Sequence, residues 1–189
     1  MTIPPENRAV LIALVQAGAP VDYIFFWGHR KPEDGSVTKS CFSQWYEAAF
    51  RINGELFRTA EHHMMVRKAR LFGDEPSARR ILAAATPNEA KSLGRKIQGF
   101  SEETWLAHRE EIVFTGNFAK FSQHSPLRRF LLATGDSILV EASPKDSIWG
   151  IGLAQDSPFA REPSSWQGLN LLGFALMKVR TRLRDQNQG

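Results

Sequence analysis

Apolar and polar positions along the chain alternate between short extended runs and helical stretches opened by small polar caps. Tyr23-Ile24-Phe25-Phe26-Trp27 is a β-rich run ending at Gly28, and the charged, glycine-containing segment from His29 to Lys39 reads as a loop. Ala49 to Arg58 reads as a hairpin, because Asn53-Gly54 favours a type I′ turn between two strands. Thr59 is then a good N-cap for a helix over the next ten residues. Pro76 to Ala85 follows, and Thr86-Pro87-Asn88-Glu89 opens a further helix with both a capping box and a proline in the first turn. Ser101 caps the helix that bears Trp105, Ser125-Pro126 opens another, Ser137 to Ala142 reads as a strand, and the last helix begins near Asn170. The pattern predicts an α+β fold, mainly helical, with short strands and a β-hairpin.

The N-terminal apolar run from Val10 to Val15, ending in Gln-Ala-Gly-Ala, has the outline of a signal peptide. Glu6 and a single Arg8 make a poor positive leader, and the run is too short to span a bilayer. It is expected to form a short buried helix after Pro4-Pro5, and no membrane association is expected.

At 189 residues and 42% hydrophobic content the chain has enough material for one sizeable core, and no linker divides it. Its one cysteine, Cys41, has no internal disulfide partner, which points to a reducing, cytoplasmic setting. His62-His63 beside Glu61 fits neither H-E-x-x-H nor H-x-x-E-H, since Arg58 stands where the second needs a histidine. No metal and no cofactor is expected. A net charge of +4 suits an anionic ligand but is too mild to define a nucleic-acid binder. Arg67, Lys68, Arg70, Arg79, Arg80, Arg95 and Lys96 cluster in mid-sequence. Arg180, Arg182 and Arg184 crowd the last helix, where a solvated face that complements the helix dipole is the simpler reading.

The candidate chemistry lies in Thr59-Ala60-Glu61-His62-His63-Met64-Met65-Val66-Arg67-Lys68-Ala69. Seven residues are close to two helical turns, so Glu61 and Lys68 share a face, separated along the axis by ~10 Å. That gap accommodates a sugar. Glu61 falls in the first turn, where the helix terminus favours a carboxylate. An acid and an amine on one helix are more often a solvated face.

The same stretch resembles the signature of the NADAR family of YbiA-like N-glycosidases. The resemblance continues through Phe42-Ser43-Gln44-Trp45, Gly94-Arg95, Trp105, Lys120-Phe121, Leu131-Leu132-Ala133-Thr134, Leu139-Val140-Glu141-Ala142-Ser143, Asp146, Trp149-Gly150-Ile151-Gly152 and Asn170-Leu171-Leu172-Gly173-Phe174-Ala175-Leu176-Met177. It runs in family order from about Tyr23 to the C-terminus, implying one YbiA-like domain over residues 21–189 behind an N-terminal helical extension over residues 1–20. Phe114-Thr115-Gly116-Asn117 departs from a commonly basic helical segment, Gly116 weakens a helix interior, and Trp45 stands where the family often has Phe.

The resemblance implies hydrolysis of an N-glycosidic bond between ribose and an exocyclic amine. The implied substrates are early riboflavin intermediates, which are ribosylaminopyrimidine phosphates, or guanine that carries ADP-ribose. Partners would be a small phosphoribosyl or ADP-ribosyl molecule, or ADP-ribosylated nucleic acid. Glu61, Lys68 and Asp146 are the implied catalytic residues, and Trp105, Trp149, Gly150, Asn170 and Arg95 the implied substrate contacts. A Trp one turn into a helix is more often core, whereas the resemblance places Trp105 in the ligand site, stacked against a base; the glycines of the Pro144–Gly152 loop also suit an ordinary turn. Asn170 either caps the last helix or meets the ligand at its N-terminus, a natural anion site. One tension is visible at once. A nearby carboxylate holds a lysine as ammonium, whereas nucleophilic attack needs the free amine, so burial or Arg67 and Arg70 must oppose Glu61. Otherwise Lys68 is an electrostatic clamp and Glu61 activates water directly. A non-catalytic module that binds ADP-ribose or modified nucleic acid is the alternative from another class.

Overall fold

In the computed structural model, residues 4–186 are described; the first and last three residues of the expected domain bounds lie outside them. In chain order the helices are α1 (Arg8–Gln16), α2 (Ala60–Leu71), α3 (Glu75–Ala83), α4 (Pro87–Gly94), α5 (Glu102–Gln123), α6 (Ser125–Ala133) and α7 (Leu171–Asp185). The strands are β1 (Tyr23–Phe26), β2 (Phe50–Ile52), β3 (Glu55–Phe57) and β4 (Ile138–Glu141). The expected mainly helical α+β fold is therefore observed. The chain divides into two units, one of Met1–Ser43 with Pro126–Gly189 and the other of Gln44–Ser125.

In the first unit, β1 and β4 pair in parallel, Tyr23 opposite Ile138 and Phe26 opposite Glu141. Phe25, Phe26, Ile138, Leu139 and Val140 are all buried, the continuous apolar run of strands covered on both faces. Helix α7 packs on β4 at Gly173, where any Cβ would collide with the Leu139 carbonyl. Arg180 of that helix is buried, not solvated as expected. Its Nη1 donates to Thr134 Oγ1 at 2.7 Å and to the Ser137 carbonyl at 2.9 Å, tying α7 to the turn before β4. Arg184 pairs with Asp136 at 2.8 Å. Helix α1 also departs from expectation. Asn7 caps it and Arg8 anchors it through the carbonyls of Pro163 and Ser164, but only Leu11 is buried, while Val10, Leu14 and Val15 are exposed. A run that is apolar all round reads as buried, yet here a single face meets the protein.

In the second unit the hairpin forms as read, with Phe50 opposite Phe57 and positive φ at both Asn53 and Gly54, the type I′ requirement. It delivers the chain to α2, which packs on α3, α4 and α5. Each of these helices has its own cap. Thr59 accepts from the His62 amide, Asp74 from Ser77, Thr86 from Glu89 and Ser101 from Thr104. The Glu89 carboxylate reaches back to the Ala85 amide at 2.8 Å, completing the box read from sequence one residue earlier than its usual target.

Candidate active site

Thr59 sets the start of α2, and everything at the site follows from that register. Glu61 is only 2% exposed, and its backbone amide, an orphan of the first helical turn, donates to the Gln44 carbonyl at 3.0 Å. His62 is spent on structure: its Nδ1 meets Thr59 Oγ1 at 2.8 Å and its Nε2 the Ala84 carbonyl at 3.1 Å. The carbonyl requires a donor, so Nε2 bears the proton and Nδ1 accepts. Burial keeps this ring neutral by pushing its pKa down. His63 is buried among the rings of Phe57 and Phe50, 5.0 and 6.1 Å away, and its pKa falls to about 4 for the same reason.

Two turns on, Lys68 is half-buried. Its Nζ donates to the carbonyl of Gly94, the last residue of α4, at 3.2 Å. It also lies 4.5 Å from the ring centre of Phe100 and 5.4 Å from that of Trp105. The carbonyl and the ring faces favour ammonium. Burial, and then the guanidinium of Arg95, oppose them and Glu61, and the amine ends below the usual lysine range. The cation that opposes Glu61 is thus Arg95. Arg70, expected in that part, is held by Glu55 at 2.7 and 2.8 Å and by Glu75 at 3.1 Å, and Arg67 is exposed. Gly94 itself is compelled by α2, since a Cβ there would overlap the Met65 side chain. A half-buried amine of reduced basicity sharing a helix with a buried carboxylate suits addition to an electrophilic carbon with proton transfer nearby.

Glu61, Lys68, Arg95 and Trp105 belong to the unit of Gln44–Ser125, and Asp146, Trp149, Gly150 and Asn170 to the other. In that second group, Asp146 Oδ1 accepts from the amides of Ile148 at 2.9 Å and Trp149 at 2.8 Å, an Asx turn that fixes the loop. Trp149 is half-buried, and its carbonyl accepts from the Leu172 amide at the start of α7. Gly150 and Asn170, expected as ligand contacts, are both interior. A Cβ on Gly150 would lie 2.8 Å from the Glu141 carbonyl, so glycine is needed for the loop to fold back on β4. Asn170 has a left-handed backbone, φ 55°, and makes no side-chain cap. Its Oδ1 accepts from the Glu141 amide and its Nδ2 donates to the Leu139 carbonyl, both at 2.9 Å, so the amide extends the ladder of β4.

Four residues at the Glu61–Lys68 helix were given no role in the sequence reading. Gln44 supports Glu61 through its carbonyl and accepts from Asn117 Nδ2 through Oε1 at 2.8 Å. Asn117 and Lys120 are fully buried on α5, with Lys120 Nζ 5.5 Å from the Tyr46 ring centre. Polar residues three apart on an otherwise apolar helix face were the available signal. Phe100, the fourth, immediately precedes the Ser101 cap, a position where a large apolar residue commonly packs on the first turn. Among the described residues, no group of three His, Cys, Asp or Glu is placed to hold a metal, and no helix is long and apolar enough to cross a membrane.

Comparison with known proteins agrees with the family pattern. The family model of the NADAR domain matches residues 25–184, which begins after α1. The N-glycosidase R617 of Acanthamoeba polyphaga mimivirus is 42% identical over 171 residues, covering 88% of this chain and 96% of the viral protein. The N-glycosidase Npun_R5314 of Nostoc punctiforme is 35% identical over 145 residues, 77% of this chain and 86% of its own length. The NMR structure of the E. coli protein YbiA superimposes with a TM-score of 0.71 at 27% identity, covering 88% of each chain.

Proposed function

This chain belongs to the NADAR family, and from that premise we propose that it is, like its curated relatives, a hydrolase of N-glycosyl bonds, cleaving ribose from an exocyclic amine. The substrate class is a phosphoribosylated aminopyrimidine of the riboflavin route or guanine bearing ADP-ribose. An exocyclic nitrogen can push open the furanose ring to an imine without leaving a charged base, and an imine carbon is what an amine nucleophile attacks. The observation that supports this reading is Lys68, half-buried, lowered in basicity, and two turns from buried Glu61 on one helix.

In the proposed sequence, neutral Lys68 Nζ adds to C1 of the opened sugar and forms a C–N bond. The exocyclic C–N bond then breaks, and the base leaves as its free amine after taking a proton. Water adds to the resulting Lys68 imine and releases the sugar aldehyde, restoring the amine. Glu61 moves the protons. In the same unit, Trp105 positions the ligand, and exposed Arg95 meets its phosphate while lowering the Lys68 pKa.

The test is reduction during turnover. Borohydride added while the protein consumes either a ribosylaminopyrimidine phosphate or ADP-ribosylated guanine DNA should fix the sugar on Lys68, read as a mass shift of the peptide that contains it. Lys68→Arg keeps the charge, stays protonated and should be inactive. An active Lys68→Arg variant, or sugar fixed elsewhere, overturns covalent catalysis by Lys68 and leaves direct hydrolysis by water that Glu61 activates.

A further inference from the structure

We infer that Phe100 is the surface on which the leaving base of the substrate stacks, so that the site selects planar heteroaromatic amines through a residue outside the motifs that carry the family resemblance; this rests on Lys68 being the reacting amine.

Two contacts and one backbone turn hold Phe100 in place. The preceding loop is pinned at Gln98, whose amide donates to Asp74 Oδ2 at 2.9 Å, using the second oxygen of the residue that caps α3. Gly99 then takes φ 69°, a left-handed turn that redirects the chain. The Phe100 ring finally meets Phe72 edge-on at 5.3 Å. Despite this support Phe100 is 47% exposed. Phe100 and Trp105 occupy the positions before the cap and at the fourth residue of α5, the two ends of a hydrophobic staple. An ordinary staple buries its rings to fix the helix entry. Here both rings face Lys68 Nζ, Phe100 the nearer at 4.5 Å, and Phe100 keeps nearly half of its surface open. A fixed, half-exposed aromatic ring beside the attacking nitrogen lies close to where a base joined to C1 must be when that carbon is attacked. Stacking is tolerant of base identity, which suits a site whose substrates share a linkage and not one ring system.

The experiment measures binding of guanosine 5′-monophosphate, whose ring-nitrogen linkage the proposed route does not open, and of ribose 5-phosphate, which has no base. Wild-type protein, Phe100→Ala and Phe100→Tyr are each titrated and melted. The nucleotide should bind wild type more tightly than the sugar phosphate. Phe100→Ala should weaken the nucleotide about 5- to 150-fold, the range for loss of one base–aromatic stack, while leaving ribose 5-phosphate unchanged. Phe100→Tyr, which keeps the ring, should restore nucleotide binding. The inference is overturned if the nucleotide has no advantage in wild type, if both ligands weaken alike, or if Phe100→Ala only lowers the melting temperature. The same nucleotide pattern in a protein that turns over neither proposed substrate would retire those substrates and leave the stacking surface standing.

Discussion

Gly116 of α5 lies directly against the ring of His63 on α2, so close that a Cβ would sit 2.5 Å from Nδ1. The sequence pattern marks this glycine as a weak point in a long helix, but the crossing requires it. Gly116→Ala would gain about 1 kcal/mol of helix propensity and lose about 1–3 kcal/mol to overpacking. The ring has little room to swing, because Phe50 and Phe57 flank it. The net expectation is a lower melting temperature. An unchanged or higher one would mean that the ring yields.

His63 also makes stability depend on pH. Its pKa is about 4 in the fold against 6.5 in the unfolded chain, so between those values the unfolded state binds more protons. Stability is then full above about pH 6.5, falls as pH is lowered toward 4, and levels off below. The drop from this group is on the order of 3 kcal/mol, and the lowered His62 adds to it in the same direction. Chemical denaturation at pH 7 and pH 5 measures the fall. In His63→Gln the difference between the two should shrink; an undiminished difference would assign it to other groups.

Local signals were legible in the sequence wherever a few adjacent residues determine geometry. Asn53-Gly54, the Thr59, Thr86 and Ser101 caps and the Glu61–Lys68 spacing all depend on short-range backbone rules. What tertiary packing decides was not legible. Arg180 reads as one of three solvated arginines, and only the return of the chain at Thr134 and Ser137 makes it a buried donor. Asn170 reads as a cap or a ligand, and the carbonyl and amide of β4, some thirty residues earlier, claim both ends of its side chain. Arg95 could not be chosen over Arg67 or Arg70 from spacing, because the choice turns on Glu55 and Glu75 capturing Arg70.

Glu61→Gln keeps the shape of a buried side chain whose backbone amide is fixed by Gln44. It removes the group that transfers protons, so turnover should fall by ~10²–10⁴-fold. Circular dichroism should be that of wild type. Wild-type turnover in this variant would exclude Glu61 as the acid–base group.

Arg95 and Glu61 act on the Lys68 amine with opposite sign, and burial, the largest influence, sides with Arg95 in lowering its basicity. Attack requires the neutral amine, so kcat should rise with pH as Lys68 loses its proton. Arg95→Ala removes a repelling cation and should move that rise to higher pH, whereas Arg95→Lys keeps the charge and should hold it near the wild-type position. A lost phosphate contact would appear in KM, so the pH profile of kcat separates the two tasks of Arg95. Because Arg95 is exposed, added salt should also shift the wild-type profile toward that of Arg95→Ala, charges beyond ~8 Å being largely screened at 0.15 M. Superimposable profiles for wild type and Arg95→Ala would remove the guanidinium from the electrostatics of the amine and leave desolvation by burial as the sole cause of its lowered basicity.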